Sequence, residues 1–263
     1  MAHHEFTPDH YHITIGSHAP ILEIAPGDTV STTTVDARGG DANGDIVTER
    51  GNPQTGPFFV RGAKPGDTLV VTLDKLIPNR PTGFTGLRIA PNVLDHGYIP
   101  EFGDELDGST AQWAVDTKAW DARLLTPSGP LSDIAIPLDP MVGCFGVAPP
   151  RGQAISCATS STHGGNMDYR GFRQGVKVFF PVFSEGALFH IGDGHAVQGD
   201  GEIVGTGIEI SFDVTFTIDL IEDREKWLDR KDYTTLNKRA FIPIFDCKGN
   251  LKYFIIEYLL TIN

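Results

Sequence analysis

Ile208–Leu220, IEISFDVTFTIDL, decides the architecture. Ile208, Ile210, Phe212, Val214, Phe216, Ile218 and Leu220 alternate with Glu209, Ser211, Asp213, Thr215, Thr217 and Asp219. Successive side chains of a strand point to opposite faces, so this period of two predicts a half-buried strand, apolar inside and wet outside. Thr29–Val35 and Val70–Leu76 read as further strands, because Thr and Val suit a pleated surface. Val176–Phe183 reads as a more fully buried strand, with Pro181 marking its end or an edge. The chain carries 30 glycines and 18 prolines, and turn signals recur between these short apolar runs. PGDT occurs twice, at 26–29 and 65–68, and reads as one tight turn feeding two strands. The expectation is a mainly β fold, sandwich- or barrel-like, with few short helices. No segment resembles a flexible linker, so residues 1–263 are read as a single domain. The stretch from Glu222 to Asn263 differs in character: EDREKWLDRK is helix-compatible, and Leu251–Leu260 suits a terminal strand.

Composition bounds the function. The 263 residues are 40% hydrophobic and 21% charged, which is ordinary for a soluble globular chain. No apolar run approaches the 20 or so residues that span a bilayer. MAHHEFTPDHYH has neither a basic region nor an apolar core, so no signal peptide is expected. The net charge of −13 disfavours nucleic acid and anionic membranes. Cys144, Cys157 and Cys247 cannot all pair and form no CxxC, which points to a reducing, cytoplasmic compartment.

The chemistry concentrates in Leu188–Gly207, LFHIGDGHAVQGDGEIVGTG. His190, Asp193, His195, Asp200 and Glu202 are metal-ligand side-chain types set among glycines that let a ligand approach closely. Alternation allows Asp193 and His195 to share a pocket and puts His190 on the opposite side. The bland alternative is a glycine-rich hairpin with solvated charges. HGGNMD at 163–168 is a second candidate: Gly164 and Gly165 could form an amide nest, and Asn166 could donate to an oxyanion. VDARGGDAN at 35–43 is a third, with Asp36 at a strand end and Arg38 and Asp41 read as a surface pair. NPQTGP at 52–57 reads as a rigid structural turn. His3, His4, His10 and His12 read as a solvated tail. His18 and His96 have no supportive sequence neighbours. There is no GxSxG elbow, phosphate-binding glycine loop or dinucleotide fingerprint. Cys144 and Cys157 sit in contexts that suit inert buried thiols, and Ser160 or Ser161 with His163 is a minority nucleophile–base reading.

PGDT, VDA-x-GG, NP-x-TGP, GCFGVAPP, HGGNMD and GDGHAVQGDGEIVGTGIE, in this order from about Glu23 to Leu220, resemble the acetamidase/formamidase family. The segment Glu222–Asn263 does not resemble the family's continuation. The resemblance implies a β-rich enzyme hydrolysing small amides such as formamide or acetamide to a carboxylate and ammonia. It also implies a divalent metal, zinc before calcium. It marks Asp36, Asn166, Asp168, Asp193, His195, Asp200 and Glu202, and His163 fits the motif, whereas His190 does not. The resulting expectation places metal ligands at Asp36, His195, Asp193, Asp168 and His163. Glu202 is expected as general base, Asn166 as oxyanion donor, and Gly164, Gly165 and Asp200 as substrate contacts. A small amide as partner and a homodimer are expected. Two rivals stand beside it: a non-catalytic cupredoxin-like metal-binding β-sandwich, and a module whose loops only bind a partner.

Overall fold

The computed structural model describes residues 1–87, 109–127, 129, 133–222 and the short strand at 240–241. Among these residues there is no α-helix, and a 3-10 turn spans Pro150–Gly152. The strands Phe212–Ile221, Thr29–Thr33, Thr68–Pro78 and Lys177–Pro181 form the body of a six-stranded sheet. Phe212–Ile221 lies between Thr29–Thr33 and Thr68–Pro78, antiparallel to both. Thr29–Thr33, Thr68–Pro78 and Lys177–Pro181 match three of the four expected strands, and Pro181 ends its strand as anticipated. The two PGDT turns share one geometry. Asp28 N–H donates to Ala25 O and its carboxylate accepts the Ala25 amide; Asp67 and Lys64 repeat the pattern. Each turn delivers the chain directly into a strand.

A larger, eleven-stranded sheet contains Phe189–His195. This strand pairs with Met141–Val147 on one side. Its other side is shared, Gln54–Val60 pairing with its first half and Glu209–Ile210 with its last residues. Met141–Val147 pairs in turn with Gly164–Asn166.

A phenylalanine cluster fills the space between the two sheets. Phe216 meets Phe58 and Phe189 edge-on, each at a centroid distance of 5.2 Å, and Phe180 meets Phe145 at 5.4 Å. Phe180 and Phe216 come from the six-stranded sheet and the other three from the larger one. Each such pair adds about 0.5–1.5 kcal/mol beyond the burial of its area. The layers therefore form a sandwich, as the alternation predicted.

Two expectations need correction. The stretch Ile208–Leu220 is not one strand: Glu209–Ile210 belongs to the large sheet and Phe212–Ile221 to the smaller, with the chain crossing between them at Ser211. Consequently Glu209 and Ser211, read as wet, are buried, whereas Asp213 and Asp219 are exposed as expected. The N-terminal histidines are not a loose tail either. His3–Glu5 pairs in parallel with Thr29–Ser31, and His4 contacts Asp28 at 3.0 Å. The readings of His96, of the 223–230 helix and of the 251–260 strand lie outside the described residues.

Candidate functional site

Asp193 and His195 stand at the end of Phe189–His195, and Asp168 follows Gly164–Asn166, on the far side of Met141–Val147 in the same sheet. Asp168, Asp193 and His195 each bring a ligand atom within 4.8 Å of the others, and His195, Glu202 and Glu209 form a second such group. One imidazole and four carboxylates thus converge on a hollow. Asn52, Asp168, Asp193 and Glu202 are four of the eight non-glycine residues with left-handed backbone among the described residues (φ 55°, 42°, 59° and 42°). That conformation is sparsely populated by side-chain-bearing residues, and its concentration at one place marks side chains held there for a purpose other than local comfort.

Amides hold the carboxylates in place. Asn52 Nδ2 donates to Asn166 Oδ1 at 2.6 Å and to Asp193 Oδ2 at 3.0 Å, and Asn166 Nδ2 donates to Asp168 Oδ2 at 2.5 Å. One oxygen of each acid remains: Asp168 Oδ1, Asp193 Oδ1 and Glu209 Oε2 are buried without a hydrogen-bond donor. A buried ionised group costs heavily unless paired or bound to a metal. Gly143, on the adjoining strand, leaves the room. A Cβ there would collide with Asp168 Oδ1, lie 2.7 Å from Asp193 Oδ2 and 3.1 Å from His195 Cε1. Orphaned oxygens, an imidazole nitrogen and an unfilled cradle fit a divalent cation.

The protonation pattern says the same. Burial, reinforced by the charge of Asp168, pushes the Glu202 carboxyl up to about 8. Burial and Asp193 push Asp168 up to about 6, and burial pushes Glu209 up to about 7. Burial opposes a charge on His195, but Glu209 at 3.0 Å and Asp193 at 3.5 Å outweigh it and raise its pKa well above the usual imidazole range. Without a cation, the folded chain holds protons that the unfolded chain has shed. Through these groups stability falls as pH rises from about 4.5 through about 8; His12, His163 and His190, whose pKa values burial lowers, act in the opposite direction below about 6.5. The expected result is a chelator-treated protein that melts lower at pH 8 than at pH 6.5, a window largely above the titration of His12, His163 and His190, and a saturating divalent ion abolishes the difference. Calorimetric titration in two buffers of different ionisation enthalpy should show protons released on cation binding, with affinity rising across the same window.

Several expected site residues lie elsewhere. Asp36 stands outside both cation groups: its Oδ2 takes Arg80 at 2.6 Å and its Oδ1 accepts the amides of Arg38 and Gly40. Arg80 also donates to Thr82 O and Asp41 O, clamping the 36–41 loop to the sheet. Arg80→Met would leave the Asp36 charge buried and unpaired, and chemical denaturation should show a loss of about 3–5 kcal/mol. Arg38 and Asp41 do not form a surface pair; Arg38 stacks on Phe84 at 4.4 Å, and Asp41 accepts amides of its own loop.

Asp200 is exposed and paired with Arg170 at 2.7 Å. Gly164 and Gly165 lie in a strand paired on both sides, where a Cβ would strike Phe145 O or Thr159 O. Close strand approach accounts for those glycines, and they form no open nest. His163 is fully buried, has no hydrogen bond on either ring nitrogen, and belongs to neither cation group. Burial lowers its pKa to about 4, and no Ser–His bond supports a serine nucleophile. His190 faces away from the carboxylates, as alternation predicted, and packs edge-on against the stacked rings of His12 and His18. His18 therefore has the neighbours its sequence did not suggest.

Asn52, Gly143, Gln198 and Glu209 were missed. Among the described residues neither cation group includes a cysteine. Cys144 donates to Cys157 O, and burial raises its thiol far above the usual range, which argues against a copper–thiolate centre of the cupredoxin kind.

The model of the Acetamidase/Formamidase family matches residues 3–153 and 151–247, so the likeness extends beyond the expected 23–220 span at both ends and takes in the first part of the segment after Glu222. The chain belongs to the acetamidase/formamidase family. Among family relatives, a candidate formamidase of Schizosaccharomyces pombe is 27% identical over 252 residues, covering 76% of this chain and 61% of that protein. An acetamidase of Mycolicibacterium smegmatis is 46% identical over 61 residues, 23% of this chain and 15% of that one. The chain therefore spans at most about three-fifths of these curated relatives. The crystal structure of a predicted acetamidase/formamidase from Thermoanaerobacter tengcongensis superposes with a TM-score of 0.66 at 32% identity, covering 84% of this chain and 70% of that one. An acetamidase from Yersinia enterocolitica gives 0.67 at 30% identity, with 84% and 68% covered. Among the described residues no helix is long and apolar enough to cross a membrane.

Proposed function

We propose that this chain hydrolyses short linear amides, formamide and acetamide before others, to a carboxylate and ammonia with the help of a divalent ion. The observation that carries the proposal is the convergence of Asp168, Asp193, Glu202 and Glu209 around His195, with three buried oxygens lacking a hydrogen-bond donor. Family membership supplies the reaction class. Asp168, Asp193 and His195 would hold the ion, with Glu209 beside them. A bound divalent ion supplies Lewis acidity to a carbonyl and to water.

Glu202 is the proposed general base. It takes a proton from the attacking water and returns it to the departing nitrogen, which leaves poorly until protonated. Its raised pKa, unusual for a carboxyl, fits a group that both takes and gives a proton near neutrality. The Asn166 amide bonds Asn52 and Asp168, which leaves one Nδ2 hydrogen for a developing oxyanion.

Zinc is the proposed ion on the strength of the His195 nitrogen, and calcium is its rival because the remaining ligands are carboxylates. Two free, buried thiols support a reducing, cytoplasmic compartment. The single-domain reading is supported by one apolar core drawn from both sheets. The proposed dimer has exposed apolar side chains such as Ile46, Val47 and Ile203 available for contact, and light scattering tests it.

The deciding experiment couples metal analysis with ammonia release from a panel of short amides. Stoichiometric metal, lost together with activity on chelation and restored on its return, is the expected result. Full turnover in metal-free protein would remove the ion from the scheme, and silence on every amide tried would remove the hydrolase.

A further inference from the structure

We infer that Gln198 is a positioning residue that decides which nitrogen of His195 faces the cation. The inference rests on the reading of the carboxylate hollow as a cation site. Gln198 is 7% exposed and joins two walls of that hollow. One end of its amide lies 2.6 Å from the Asp168 backbone carbonyl and the other 2.7 Å from His195 Nδ1.

A carbonyl oxygen only accepts, so the end that meets Asp168 O is the Nε2 donor. Oε1 must then face His195, and because an amide oxygen also only accepts, His195 Nδ1 carries the hydrogen. The neutral ring has one hydrogen, and it is now committed. The lone pair falls on Nε2, 3.0 Å from Glu209 Oε1 and 3.5 Å from Asp193 Oδ1. A lone pair facing two carboxylates is a ligand position that needs a cation or a proton to be stable.

Gln198 thus acts twice. It fixes the tautomer and plane of His195, as the outer partners of metal-bound histidines do. It also ties the segment leading to Glu202 onto the backbone of Asp168, so that members of both cation groups are held by one amide. Neither effect requires Gln198 to touch substrate or ion.

The test compares wild type with Gln198→Leu, which removes both bonds, and Gln198→Glu, which keeps an acceptor for His195. Zinc affinity is read by competition with a chromophoric chelator. The His195 tautomer is read from long-range ¹⁵N–¹H correlations in the zinc-loaded, ¹⁵N-labelled protein. Wild type should show Nδ1–H with Nε2 bound. Gln198→Leu should lose about 10–100-fold in zinc affinity and the single tautomer, and Gln198→Glu should retain the Nδ1–H signal. A merely structural residue would shift melting temperature and leave the tautomer alone. Wild-type affinity and an unchanged Nδ1–H signal in Gln198→Leu would overturn the assignment of Gln198 while leaving the cation site intact. A wild type that binds no zinc or other divalent ion would overturn the site reading and this inference together.

Discussion

Gly143→Ala is expected to empty the hollow of its cation and to reduce kcat/KM on a short amide by about 100-fold or more, the scale of loss that a displacement near 1 Å can produce. The argument is steric. The added methyl would overlap Asp168 Oδ1 and crowd Asp193 and His195, three side chains from two separate segments. All three would have to retreat, and each is constrained: Asp168 by Asn166, Asp193 by Asn52, His195 by Gln198. The strand itself should survive, since alanine fits an extended backbone. Metal content and ammonia release therefore fall while far-UV circular dichroism stays near wild type. A Gly143→Ala protein that retained stoichiometric metal would show that the cation sits elsewhere, and the donor set would have to be redrawn around Glu202 and Glu209.

That prediction marks where the sequence was informative and where it was not. Alternation in 208–220 gave the sandwich, since period two is a local property that burial on one face imposes directly. The same alternation misplaced Glu209. A charged residue in a strand defaults to water, and only the cross-strand pairing with His195 takes it inside. Asp193, His195 and Glu202 were legible because they lie within ten residues in a glycine-rich run, and Asp168 because it closes a motif. Asp36 misled for the converse reason. Its partner Arg80 is 44 residues away, and no spacing rule joins a loop carboxylate to a guanidinium on another turn.

Gly143 and Asn52 act by what they leave open or by how they hold others, which no residue-type pattern records. Asn52 had one available signal, its place at the start of the proline-bracketed NPQTGP turn, although that segment reads as scaffold. Gln198 sits three residues beyond His195, inside the informative stretch, yet its role depends on an amide orientation that only the Asp168 carbonyl fixes.

Glu202→Gln should lower kcat by about 10²–10⁴-fold, the range that general acid–base catalysis contributes. The substitution keeps shape and removes the ability to accept a proton from water. KM should change little if Glu202 acts only in the chemical step, since an interaction confined to the transition state appears in kcat and kcat/KM together. Glu202 also stands among the donors around His195, so metal content must be measured in the same preparation. A kcat loss with full metal occupancy identifies a base; parallel losses of metal and turnover identify a ligand. The pH profile separates the roles further. If Glu202 is the base, removing its carboxyl should flatten the acid limb of kcat/KM in the metal-loaded enzyme, where loss of its proton switches the base on. Unchanged turnover in metal-replete Glu202→Gln would exclude the carboxylate as base and turn attention to Glu209, whose Oε2 is buried without a donor and whose pKa is raised to about 7.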